Sequence, residues 1–102
     1  MIRFEILLPL YHNDGSLVDA EKSVATDDEL LDAFGAISTD YTVVRGKWTY
    51  QSVIYSDQLF RLRVDADDTP ENWGAMREIK TTLKARFDQI DIWITAHRID
   101  IV

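Results

Sequence analysis

The 102-residue chain has no cysteine, only two prolines and four glycines, and its 11 Lys and Arg are outnumbered by 18 Asp and Glu. Without cysteine there is no disulfide framework, no thiolate metal site and no thiol nucleophile. The formal net charge of −7 removes the basic footprint from which phosphate backbones draw most of their affinity, so nucleic acid is not an expected partner. No apolar run approaches the ~18 residues of a membrane span. Glu5 also breaks the N-terminal apolar segment that a leader would keep free of charge. A membrane partner is therefore not expected, and a cytoplasmic home is the simplest expectation. The only histidines are His12 and His97, and His12 with Asp14 lacks the ligand count of a metal site. A Gly-rich phosphate loop, a Gly-x-Ser-x-Gly elbow and a carboxylate pair at working spacing are all missing. The sequence thus names no catalytic residue, no metal and no cofactor.

What is present is an ordinary globular mixture, 46% hydrophobic and 28% charged, at a length that predicts one domain over residues 1–102. Ile2, Phe4, Ile6 and Leu8 alternate with Arg3, Glu5 and Leu7, the period of a strand with one buried face, and Pro9 closes it. Asp14-Gly15 marks a loop. Thr26-Asp27-Asp28-Glu29 spells a capping box and predicts a helix starting at Thr26. Leu30, Leu31 and Phe34 would share its buried face, Gly35 would stand past its end, and Leu17 to Val24 could add a turn upstream.

From Ser38 to Asp65 the period changes to two and β-branched and aromatic residues dominate, which predicts a long hairpin. Its turn falls near Thr49 to Ser52, or alternatively at Ser56-Asp57-Gln58. Thr69-Pro70-Glu71 opens a second helix that runs to about Phe87 with Trp73, Met76, Ile79, Leu83 and Phe87 on one side. The strict alternation Ile90-Asp91-Ile92-Trp93-Ile94-Thr95 predicts a last strand, broken at His97-Arg98.

Strand, helix, two strands, helix, strand is most simply a split β-α-β arrangement: an α+β, ferredoxin-like fold with an antiparallel four-stranded sheet and both helices on one face. Parity then sends Ile90, Ile92 and Ile94 to the core with the apolar set of the first strand. It sends Arg3, Glu5, Leu7, Leu59, Arg61, Arg63, Asp91, Trp93, Thr95 and His97 to the open face. Glu5 would pair with Arg61 or Arg63, and Arg3 with Asp91. Cross-strand pairing accounts for the charges without a partner. Trp93 is the residue that the core does not explain, and with Arg61 and Arg63 it forms a candidate recognition or self-association face. A second candidate lies on the hairpin, where Tyr41, Arg45 and Trp48 flank Gly46 and could line a pocket between hairpin and helices, with His12 nearby.

The chain also resembles a family of small bacterial proteins of unknown function. The resemblance rests on Phe4-Glu5-Ile6-Leu7-Leu8-Pro9-Leu10 followed by Asn13-Asp14-Gly15, on Phe34-Gly35, on Gly46-Lys47-Trp48, and on Lys84-Ala85-Arg86-Phe87-Asp88-Gln89. It spans nearly the whole chain in short motifs, and it implies the same ferredoxin-like fold and no activity. The expected function is a non-enzymatic binding or interaction module that self-associates through its sheet, partnered by a second copy or another protein. The alternative is a small enzyme or ligand sensor with a pocket near Gly46 to Trp48.

Overall fold

The computed structural model describes residues 1–102, the side chain of Tyr41 excepted. The elements follow the predicted order: β1 (Ile2–Pro9), α1 (Ala20–Phe34), β2 (Ser38–Tyr50), β3 (Val53–Ala66), α2 (Pro70–Arg86) and β4 (Ile94–Arg98). They build one antiparallel sheet in the order β2-β3-β1-β4, the ferredoxin-like topology. β1 is central because it is apolar on its inner face along its whole length. Ile2, Phe4, Ile6 and Leu8 are all buried, against Leu62 and Val64 of β3 and Met76, Ile79 and Leu83 of α2. Each such side chain contributes about 1.5–3 kcal/mol by leaving water.

The hairpin turns at Gln51 and Ser52, whose φ values of 48° and 65° are those of a two-residue type I′ connection, so the first of the two sequence alternatives holds. Pro9 opposite Leu59 is the last β1–β3 pair, so β3 beyond that point pairs only with β2 and the hairpin stem stands clear of the sheet. At α2, Thr69 caps as expected, its hydroxyl accepting from the Asn72 N–H at 3.2 Å, and Pro70 takes the first turn.

Three local expectations are corrected. The first helix starts at Ala20, not Thr26. Thr26 is mid-helix and fully buried, donating to the Lys22 carbonyl (2.8 Å) and accepting from Arg86 Nη1 of α2 (3.0 Å). Arg86 also pairs with Glu29, so the residues that read as a cap instead bind α1 to α2. Leu31, expected inside, is 45% exposed; its neighbour Leu30 is the buried one.

The second correction concerns the end of α2. Asp88 adopts a left-handed φ of 51°, its N–H reaches the Ala85 carbonyl and the Gln89 N–H reaches that of Lys84, a Schellman closure. The chain is still turning at Ile90, so the alternating segment does not pair until Ile94, and β4 continues through the expected break to Arg98. Ile92 alone of the first two isoleucines enters the core; Ile90 is 44% exposed. Third, Arg3 pairs with Asp65 rather than Asp91, because β3 is the neighbour in register and Asp91 turns to Lys80 instead.

Candidate functional site

The helices cover one face of the sheet, and the other face divides into two ends. At the charged end the register sets Arg3 against Asp65 and Glu5 against Arg63. Arg3 grips Asp65 bidentately, Nε to Oδ1 at 2.8 Å and Nη2 to Oδ2 at 3.0 Å, and these bonds hold the Asp65 carboxyl below its ordinary range. Arg63 donates from Nε to Glu5 (3.2 Å) and lies 2.8 Å from Asp40 through Nη2. Those two carboxylates push the Arg63 guanidinium still further toward the charged form. Arg61 reaches the same pair at longer range, 3.7 Å from Glu5 and 3.6 Å from Asp40. Among the described residues its buried Nε has no hydrogen-bond partner. Arg61 and Arg63 are thus matched by two carboxylates of their own sheet.

The other end is apolar. Leu7, Pro9, Leu59, Trp48, Ile92 and Trp93 line a cavity of about 370 Å³, completed by Gly46, Lys47, Asp57, Gln89 and Asp91. The volume falls within the ~300–1,000 Å³ usual for small-molecule sites. Gly46 matters locally: a Cβ there would stand 3.2 Å from Leu59 Cδ1, so glycine lets β2 close over the floor. Trp48 is fixed in orientation. Its Nε1 donates to Asp57 Oδ2 at 2.8 Å, and its ring stacks on Tyr55 with centroids 4.7 Å apart. Trp93 is 64% exposed on the opposite wall, anchored through its carbonyl, which accepts from the Leu7 N–H at 3.0 Å.

A second, more polar cavity of about 590 Å³ lies between the hairpin stem and the loop after β1, lined by Tyr11, His12, Asn13, Tyr55, Ser56 and Gln58 among others. It shares Asp57 with the first. The loop is held by its own bonds: the His12 N–H meets the Ser16 carbonyl at 2.7 Å, and Asp14 accepts from the Ser16 N–H at 2.8 Å. The Ser16 donors also keep the Asp14 carboxyl below its ordinary range.

Of the residues singled out in the sequence, Trp48 and Trp93 come together on one cavity, although they belong to different candidate surfaces there. Arg45 does not join them, because it is opposite Gln58 and its side chain takes the face of β2 away from Trp48. The cleft accordingly lies on the open sheet face rather than between hairpin and helices. The Tyr41 side chain lies outside the described residues. Leu59, expected on the open face, lines the cleft there, and Asp57 and Asp40 are site residues that the sequence reasoning missed. The signal for Asp57 was register, since it shares a face with Trp48 and Leu59 once the Gln51-Ser52 turn is fixed. Among the described residues no three His, Asp or Glu side chains converge as a metal site requires. No helix is long and apolar enough to cross a membrane.

These features define an α+β chain of ferredoxin-like fold with a cleft on its uncovered face. No protein-family model matches the chain, and no curated protein sequence does. Solved structures do. A phage SAM lyase in complex with S-methyl-5'-thioadenosine superimposes with a TM-score of 0.68 at 15% identity, over 94% of this chain and 79% of that one. The divalent cation tolerance protein CutA1 from Thermus thermophilus gives 0.65 at 16% identity, over 100% of this chain and 87% of its own. The periplasmic divalent cation tolerance protein CutA from Archaeoglobus fulgidus gives 0.62 at 15% identity, over 100% and 87%. At such identities the likeness concerns the fold.

Proposed function

We propose that the chain is a non-enzymatic binding module, cytoplasmic as its sequence suggests, that seats a small flat ligand in the cleft between Trp48 and Trp93. One observation carries this reading: two tryptophans that the core does not need, one on β2 and one before β4, line the same cavity. Trp48 is already held rigid by Asp57 and Tyr55, which lowers the entropy lost on binding. S-methyl-5'-thioadenosine, the ligand held by the phage SAM lyase, joins a flat adenine through a ribose to an apolar methylthio group and is the first compound to test. Calorimetric titration should give saturable binding to the native chain and loss of most of the affinity in both Trp48→Ala and Trp93→Ala. A panel of flat heterocycles that binds neither better nor worse after both substitutions contradicts the reading.

A second reading, self-association, is favoured by the hairpin tip. Tyr50, Val53 and Ile54 are 42%, 50% and 71% exposed, and the outer edge of β2 has no neighbouring strand. Replacing Val53 and Ile54 with serine should lower the sedimentation coefficient if the tip holds copies together. A native chain that sediments as a monomer at high concentration removes this reading and leaves the first intact. On either reading nucleic acid and membrane are not partners.

A further inference from the structure

The cleft has a charge asymmetry that its apolar lining does not require. Asp57 stands in the wall shared by the two cavities and is half-buried. One of its oxygens accepts from Trp48 Nε1, and no Lys, Arg or His among the described residues comes within ion-pair distance of it. On the strands this sets it apart: Glu5, Asp40 and Asp65 each have a cationic partner, and Asp57 is the one strand carboxylate among the described residues without one. The two other charged residues of the cleft do not offset it. Lys47 alternates with Gly46 and Trp48 along β2, so its side chain leaves the sheet by the opposite face. Asp91 is taken up by Lys80 at 3.2 Å. The cleft therefore presents two indole rings and one uncompensated carboxylate in a chain whose net charge is already −7. Aromatic faces attract cations through their quadrupole, a carboxylate attracts them directly, and a wall of low polarity screens both less than water does.

From this we infer that the ligand of the cleft is an organic cation: a flat ring placed against Trp48 and Trp93, with an ammonium or similar positive centre beside Asp57. The inference rests on the proposed binding role of the cleft and adds the charge of what it binds. The polar cavity beyond Asp57, with Tyr11, His12 and Asn13 in its wall, offers hydrogen-bonding groups to whatever continues past that centre.

The test compares three nucleosides that share one flat head and differ in charge at the 5′ position: 5′-amino-5′-deoxyadenosine (cation), S-methyl-5'-thioadenosine (neutral) and adenosine-5′-carboxylate (anion). Each is titrated calorimetrically into the native chain, Asp57→Asn and Trp48→Ala, with circular dichroism confirming the fold. Asparagine keeps the size and an oxygen that can accept from Trp48, so the substitution removes the charge and little else. The expected result is a native preference for the cation over the neutral compound of about fivefold to tenfold, with the anion weakest. That preference, read as the ratio of the two affinities within each variant, should shrink with added salt and nearly vanish in Asp57→Asn. Equal affinities for cation and neutral compound, both lost in Trp48→Ala, would overturn the cation assignment and leave the cleft as a binding site. Absence of binding by all three at millimolar concentration, or binding that ignores Trp48→Ala, would overturn both.

Discussion

The two ends of the open sheet face are built from adjoining stretches of the same strands, yet they solve opposite problems. At one end Arg3, Arg61 and Arg63 find Asp65, Glu5 and Asp40 within their own sheet, so exposed charge is consumed internally. At the other, Leu7, Leu59, Trp48 and Trp93 leave apolar surface and a lone carboxylate facing solvent. The contrast teaches that the sheet itself accounts for the paired charges on this face, whereas it leaves the apolar surface and the carboxylate of Asp57 unaccounted for. A satisfied network has little left to offer a partner, whereas an uncovered aromatic cleft gains by acquiring one.

The largest expected break in this comparison comes at the charged end. Glu5→Ala removes a carboxylate shared by Arg61 and Arg63 and leaves two half-buried guanidinium groups to Asp40 alone. Urea denaturation should show a loss of about 1–3 kcal/mol, with ligand affinity in the cleft unchanged. Acid should act on the same end. The carboxyl of Asp65 at that end, and that of Asp68 on the helical side, are held down mainly by bonds from Arg3 and from the Trp73 Nε1–H respectively, so their contribution is complete above their unfolded pKa and is lost as pH falls through the lower folded value. Asp27 runs the other way, since burial raises its pKa and its ionisation costs stability as pH rises. Melting temperature should therefore decline below about pH 4, the ordinary aspartate range, and Arg3→Gln should flatten that decline.

Substitutions at the aromatic end should invert the pattern. Trp48→Ala loses a stacked partner and is expected to cost about 0.5–1.5 kcal/mol, but to remove most binding. Trp93→Ala, at an exposed position, should change stability by no more than about 0.5 kcal/mol and still weaken binding. A Trp93→Ala variant that unfolds at markedly lower urea would mean that this residue serves packing, and the distinction between the two ends would fail.

Much of this architecture is legible in the residues, and the exceptions have physical causes. β1, the hairpin and α2 announce themselves because alternation, the β-branched run and Thr69-Pro70 each point to one local answer. The start of α1 misleads because Thr26 and Glu29 satisfy the grammar of a cap equally well as mid-helix residues bonded to Arg86 of α2. No local pattern reveals that partner sixty residues away. The segment Ile90 to Ile92 keeps strand periodicity without strand pairing, since the chain leaving the Schellman turn at Asp88 first meets β1 at Trp93, whose carbonyl takes the Leu7 N–H. The cleft is legible only in halves. Trp48 draws notice as a hairpin aromatic and Trp93 as an outward residue, but their meeting depends on where β4 enters beside β1, a tertiary fact. Asp57 has no sequence signal at all until the hairpin turn is fixed.

The central claim, that the aromatic end of the open face is a binding cleft, is tested most directly by the three indole N–H resonances in a nitrogen-15 correlation spectrum. Trp48 and Trp93 line the cleft, and Trp73, bonded through Nε1 to Asp68 on the helical side, is an internal control. On titration with 5′-amino-5′-deoxyadenosine the Trp48 and Trp93 signals should move together along one saturable curve while Trp73 stays fixed. Shifts of all three alike, or of Trp73 alone, would contradict the account.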